Sequence, residues 1–364
     1  MSTKMEITQP TVRDMSQRWT NTLASSLLVI IAVGIHLIAP YNRESLVKLY
    51  GSTEFAFTGN RFMVTVGALY IALLAMYYFT ERTPGISKSL RFVRFVARFV
   101  AAPRQVIRAG IDSSDRLAIL SALLKGFYGP LMVKSLMVFC MGAWGNGRGL
   151  LHVGLGNASL LSIFDRFGYF FLMQAILFVD VFFFTVGYLV ESPRLRNEIR
   201  SVDPTLLGWT AALMCYPPFN FLTAHVLGTQ RSDFPQFDDP TVHMALNLLL
   251  LTLMGIYASA SAALGLKASN LTHRGIVARG PYAIIRHPAY TCKNMAWWIG
   301  ALPVIGAAFR TSLTAGLVSA ASVVAWTSLY LLRALTEEDH LRKVDGEYAA
   351  YAAKVKYRFI PGVV

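Results

Sequence analysis

Two short stretches near the C-terminus gather the residue types that a small-molecule site needs. The first is RGIVARGPYAIIRHPAY, from Arg274 to Tyr290. Gly275 and the Gly280-Pro281 pair predict turns, and Pro288 predicts a helix start, where its missing N–H is not needed. A loop of this kind entering a helix offers free backbone N–H groups, and here it adds the His287 imidazole and the phenols of Tyr282 and Tyr290. That set suits an anionic or aromatic small molecule. It would equally serve as a polar interfacial turn whose tyrosines anchor at the headgroup level. The second stretch is RALTEEDHL, from Arg333 to Leu341. Arg333 and Glu337 are four apart and so share one helix face, either paired at a surface or gripping opposite ends of a zwitterion. The helix is still leaving an apolar run at this point, which predicts that part of the face is buried.

The elements that must hold these residues are membrane helices. A spanning helix needs roughly 20 mostly apolar residues, and eight stretches approach that: about 22–40, 62–80, 127–145, 168–190, 207–228, 242–265, 290–309 and 313–333. Three are interrupted, by Lys134, by Pro217 and Pro218, and by Lys293 with Pro303. The consecutive prolines delete two backbone donors at membrane depth, giving either a plain kink or a broken helix that lines a site. Lys134 and Asp180 are intramembrane ionisable residues, which either pair and hold the bundle or mark a proton or ion path.

Basic residues cluster in alternate loops: Arg82, Lys88, Arg91, Arg94, Arg98, Arg104, Arg108, Arg116 and Lys125 over 81–126, Arg194, Arg196 and Arg200 in the next, then Lys267, Arg274, Arg279 and Arg286. Between them lies an acidic loop with Asp233, Asp238 and Asp239. This alternation predicts that both termini are cytoplasmic. Arg91, Arg94 and Arg98 share a helical face opposite Phe92, Phe95, Val96 and Phe99, so the region of about 85–108 predicts an amphipathic helix lying in the membrane plane or packed on the bundle. The predicted fold is therefore all-α, a polytopic bundle of about eight transmembrane helices with one interfacial helix. Residues 1–240 form an N-terminal transmembrane region, and 241–364 a C-terminal region that carries both chemistry-bearing stretches.

Composition agrees with the membrane class. Of 364 residues, 54% are hydrophobic and 15% charged, too apolar for an ordinary soluble domain. The net charge of +14 sits in loops, where it sets orientation and meets anionic lipid rather than nucleic acid. Cys140, Cys215 and Cys292 fall in or beside apolar segments with no partner at ligand spacing, so neither a disulfide framework nor a metal site follows. The first 20 residues are polar and of mixed charge with no cleavage site after the first apolar run, which predicts a retained helix.

RGIV, then GPY, then RHPAY, then a helical hairpin, then Arg-x-x-x-Glu-Glu-x-x-Leu and a closing Gly-Glu-Tyr-x-x-Tyr-x-x-x-Val together resemble the isoprenylcysteine carboxyl methyltransferase family and its phospholipid methyltransferase-like relatives, over roughly residues 266–361. The resemblance implies a membrane enzyme that binds S-adenosylmethionine in a pocket open to the cytosol and methylates a lipophilic or lipidated substrate arriving from the bilayer. By motif, Arg274, Gly275, Ile276, Val277, Tyr282, His287, Pro288, Ala289 and Tyr290 would line the cofactor, and Glu337 would hold its amino acid end. Arg333 matches the arginine near the acceptor, a carboxylate in the isoprenylcysteine enzymes. The pattern departs at Cys292, where the family commonly has glycine, followed here by Lys293 and Asn294. Membrane sterol reductases, which use NADPH, resemble the same architecture, but the Arg333-Glu337-Glu338 spacing favours methyl transfer. A transporter or scaffold retaining the fold is the third alternative. Methyl transfer from a sulfonium needs alignment and exclusion of water more than acid–base groups.

Overall fold

The computed structural model describes residues 12–42, 53–80, 85–153 and 159–363, and divides into two compact units, Met1–Lys134 and Ser135–Val364. Residues 1–11, which carry most of the polar N-terminal stretch, lie outside the described residues.

In the first unit, α1 (Val12–Ile38) packs on α2 (Thr53–Thr80) and on α3 (Lys88–Ala101). Polar side chains fix these helices: Arg18 Nη1 donates to the Tyr78 carbonyl at 3.0 Å, and Asn21 bridges the Gly85 carbonyl and the Ser87 N–H. Ser87 also caps α3, accepting from the Leu90 N–H. The expected amphipathic helix is present but in two pieces, because Pro103 starts a separate short helix, α4 (Pro103–Ala109). On α3, Leu90 is buried while Phe99 and Val100 are exposed, and Arg91 and Arg98 pair with the buried Asp115. Asp115 opens α5 (Ser113–His152), a helix of 40 residues and so about 60 Å long. Lys134 on α5 donates to Asn42 Oδ1 at 3.1 Å and lies over the Tyr41 ring.

The second unit is built on α6 (Leu160–Leu189), α7 (Leu206–Leu213), α8 (Phe219–Leu227), α9 (Pro240–Leu264), α10 (Pro288–Thr311), α11 (Leu313–Val344) and α12 (Glu347–Lys354). Neighbours pack in the order α6, α9, α10, α11 around Tyr169, Leu250, Met254, Cys292, Ala296 and Ile299. Asp239 caps α9, accepting from the Thr241 and Val242 N–H groups, and Ser312 caps α11. Asp180 on α6 is buried and accepts from Tyr257 and Ser261 on α9, so its two oxygens find partners inside this unit. A minimal antiparallel ladder pairs Ser201 with His273 and Val202 with Thr272.

Six helices among the described residues are long and apolar enough to cross a membrane, against eight expected spans. The 207–228 stretch is not one helix: Pro217 and Pro218 separate α7 from α8, and Thr223 Oγ1 donates to the Met214 carbonyl that the break frees. The 290–309 stretch is a helix of 24 residues, but Lys293, Asn294, Trp297 and Trp298 leave it short of the apolarity of a simple span. The architecture is otherwise the expected all-α polytopic bundle.

Candidate active site

Inside the second unit lies a cavity of about 190 Å³. Arg274, Gly275, Ile276, Val277 and Tyr282 line it from the loop after α9, His287, Ala289 and Tyr290 from the start of α10, and Arg333 and Glu337 from α11. Of the cofactor and acceptor residues that the resemblance implies, Pro288 alone stays off its wall; it is buried as the first residue of α10.

Each segment is held from below. Gly187 on α6 permits the approach of the α9–α10 loop, since a Cβ there would sit 1.9 Å from the Ala268 carbonyl oxygen. The Asn270 N–H donates to the Tyr188 hydroxyl at 2.7 Å. Arg274 is 3% exposed and donates from Nη1 to the Asn197 carbonyl at 2.8 Å, while its Nε and Nη2 have no hydrogen-bond partner among the described residues. Burial holds its guanidinium below the usual arginine range, opposed by Glu191. Gly275 follows with φ +94°, a backbone conformation that favours glycine. Gly280–Ala283 forms a single 3₁₀ turn where the Gly-Pro pair stands.

The RHP turn is pinned by the C-terminal tail. The Arg286 and His287 N–H groups donate to the Tyr357 and Arg358 carbonyls at 3.0 and 2.9 Å, and Arg286 Nη1 reaches the Val355 and Lys356 carbonyls. Under this turn Glu338, 2% exposed, takes Arg286 Nε at 2.8 Å and His287 Nε2 at 3.1 Å on one oxygen, and Arg342 and Arg358 on the other. His287 also stacks between Tyr290 and Phe359. The second glutamate of the motif is thus the anchor joining α11, the turn and the tail.

The first glutamate faces the cavity. Glu337 Oε1 accepts from the Tyr290 hydroxyl and lies 3.5 Å from Arg333 Nε. Arg333 is 3% exposed, donates from Nη2 to Asn270 Oδ1, and lies over Tyr290, Tyr216 and Tyr330 at 5.1, 5.4 and 5.9 Å from the ring centroids. This excludes a surface ion pair. The polar rim carries His273, whose Nε2 is 2.6 Å from Asp345 Oδ2. Burial lowers the His273 pKa, with Asp345 opposing. Tyr351 donates to the Tyr282 carbonyl at 2.9 Å, and burial pushes its hydroxyl up to about 12; burial and then Glu337 push Tyr282 further.

Several wall residues were not anticipated: Asn270, Tyr216, Tyr257, Lys293 and Tyr330. Two of them carried a signal. Tyr216 precedes the two prolines, whose break leaves it facing Arg333, and Lys293 is the lone lysine of its apolar stretch. Tyr257, Tyr330 and Asn270 look like ordinary helix and loop residues in the sequence.

The lining offers the Glu337 carboxylate beside Arg333, several aromatic faces and the buried Arg274 guanidinium. That donor set fits a zwitterionic, cationic ligand with an aromatic end: a carboxylate for an ammonium, tyrosine faces for a sulfonium or a base, and N–H donors for a carboxylate. Comparison with known proteins gives no matching curated protein and no matching solved structure. Residues 243–343, which carry α9, the RHP turn, α10 and the Arg333-Glu337-Glu338 face of α11, match the model of the isoprenylcysteine carboxyl methyltransferase (ICMT) family.

Proposed function

We propose that this protein is an integral membrane S-adenosylmethionine-dependent methyltransferase acting on a lipophilic or lipidated substrate that enters from the bilayer. The observation that carries the reading is the convergence on one cavity of two sequence-distant elements, the Arg274–Tyr290 loop and the Arg333–Glu337 helix face, within the segment that matches the family. When bound, the cofactor supplies a methyl group on a positively charged sulfur. Glu337, oriented by Tyr290, receives the cofactor's ammonium, and Arg274 and Gly275 border its path. Arg333, fixed by Asn270 and three aromatic rings, orients the acceptor. The apolar and aromatic wall keeps water out, which protects the transferred group. Residues 1–240 form the accompanying transmembrane region and 241–364 the catalytic region, with both termini on the cytoplasmic side in keeping with the loop charges.

Calorimetry on the purified protein tests the reading. Binding of S-adenosylmethionine or S-adenosylhomocysteine, with NADPH at least about tenfold weaker, is expected. The opposite preference transfers the assignment to the NADPH-dependent reductases of related architecture, and binding of neither removes the enzymatic reading.

A further inference from the structure

Lys293 is a cation of the cavity that the site so far described does not use. It stands on α10, and its Nζ lies 5.3, 5.5 and 5.6 Å from the ring centroids of Tyr257, Trp297 and Tyr330. Three aromatic faces thus surround one ammonium that also lines the cavity. Among the described residues Lys293 makes no hydrogen bond and no ion pair. The carboxylate that acts on it electrostatically is Asp180, whose oxygens already accept from Tyr257 and Ser261. Rings stabilise an ammonium but accept no conventional hydrogen bond from it, so its three donors remain available to whatever fills the cavity.

A second relationship gives the direction. Tyr330 is shared: Arg333 lies 5.9 Å from its centroid and Lys293 5.6 Å. Two cations therefore border one ring on the cavity wall, while Glu337, the wall carboxylate beside Arg333, is engaged by Arg333 and Tyr290. A cationic group would be repelled from this pair, so the positive end of a bound cofactor belongs on the Glu337 side. A neutral occupant would leave the ammonium's three N–H donors unpaired, with Asp180, already bonded to Tyr257 and Ser261, as the anion acting on it, which is costly.

We propose that Lys293 is a specificity-determining residue of the acceptor site, selecting a lipophilic molecule with an anionic oxygen group that sits between Lys293 and Arg333 against Tyr330. The proposal rests on the methyltransferase reading for calling this the acceptor site. An oxygen that is already anionic needs no proton removed before it accepts the methyl group.

The test is equilibrium binding of radiolabelled palmitate and hexadecanol, amphiphiles of one chain length with and without a carboxylate, to the purified full-length protein, with empty detergent micelles subtracted. The wild type is expected to prefer palmitate by about ten- to a hundredfold, as charge-assisted hydrogen bonds imply. Lys293→Met is expected to lose that preference while keeping hexadecanol and S-adenosylhomocysteine affinity, and Lys293→Arg to keep it. Equal binding of both amphiphiles by the wild type, binding of neither, or an intact palmitate preference in Lys293→Met overturns the proposal. Should Lys293→Met fail to fold, Lys293→Gln, which removes the charge and keeps a polar end, takes its place with the same expected loss of the palmitate preference. A palmitate preference that depends on Lys293 without any S-adenosylhomocysteine binding upholds the anion site and sinks the methyltransferase reading instead.

Discussion

Glu337 and Glu338 are adjacent on α11 and face opposite surroundings. Glu338 is enclosed by Arg286, His287, Arg342 and Arg358, whereas Glu337 retains a 26% exposed side chain at the cavity with Tyr290 and Arg333. One residue of rotation thus separates an anchor from a ligand-facing carboxylate.

The two should fail differently. Glu338→Ala leaves Arg286 buried without its counter-charge and His287 without its hydrogen-bond partner, a loss of about 3–5 kcal/mol by the usual cost of breaking a buried pair, and should lower the unfolding temperature in detergent sharply. Glu337→Gln should leave that temperature nearly unchanged and weaken S-adenosylhomocysteine by about ten- to a hundredfold, the value of a charge-assisted contact of about 1.5–3 kcal/mol. Unchanged affinity in a well-folded Glu337→Gln protein removes that residue from the proposed site.

The close approach of α6 to the α9–α10 loop gives a prediction away from the cavity. In Gly187→Ala the new methyl would meet the Ala268 carbonyl at 1.9 Å, so either the helix or the loop must move. Overpacking of this kind costs about 1–3 kcal/mol. Because Ser269 to Val277 line the cavity, the displacement should reach the ligand. Thermal unfolding and cofactor binding are both expected to suffer in Gly187→Ala, and normal values for both would mean that the backbone yields at no cost.

Features set by neighbouring residues were legible in the sequence. Pro288 starting α10, the Gly275 turn and the shared face of Arg333 and Glu337 each follow from local geometry. The all-α bundle was legible from apolar run length. Six of the eight expected spans meet the length and apolarity of a single crossing helix among the described residues, and the other two differ because a 20-residue window averages over Pro217-Pro218 and over the polar start of α10. The burial of Glu338 was not legible, since three of its four partners, Arg286, His287 and Arg358, come from a turn and a tail that only the tertiary fold brings to α11. The same is true of Asn270, which meets Arg333 from 63 residues away, and of Lys134, whose donor goes to Asn42 on a segment 92 residues distant.

The tail has a measurable role. Val355 and Lys356 supply carbonyl acceptors to Arg286, Tyr357 and Arg358 accept from the RHP turn, and Phe359 stacks on His287. Removing residues 356–364 should therefore loosen the start of α10 and lower S-adenosylhomocysteine affinity by about tenfold or more, since several buried hydrogen bonds of about 1 kcal/mol each are lost. Phe359→Leu, which keeps the backbone acceptors, should cost far less. Equal losses in the truncation and the point variant would assign the effect to the ring instead of the backbone.

Arg333→Lys tests the acceptor end. Lysine keeps the charge but has one nitrogen, so it cannot reach Asn270 and Glu337 with the arginine's fixed fork, and it loses the planar stacking on Tyr216, Tyr290 and Tyr330. If Arg333 orients the acceptor, turnover with an isoprenylcysteine should fall about ten- to a hundredfold while S-adenosylhomocysteine affinity changes by less than about threefold, the pattern of an interaction needed for the reacting geometry. Asn270→Ala should move turnover in the same direction by less, because it frees the guanidinium without removing it. A different outcome, in which Arg333→Lys weakens cofactor binding as much as Glu337→Gln does, would place Arg333 with the cofactor. Unimpaired turnover in a folded Arg333→Lys protein would show that charge alone suffices, leaving the fork and its Asn270 contact a structural feature of the α11 face.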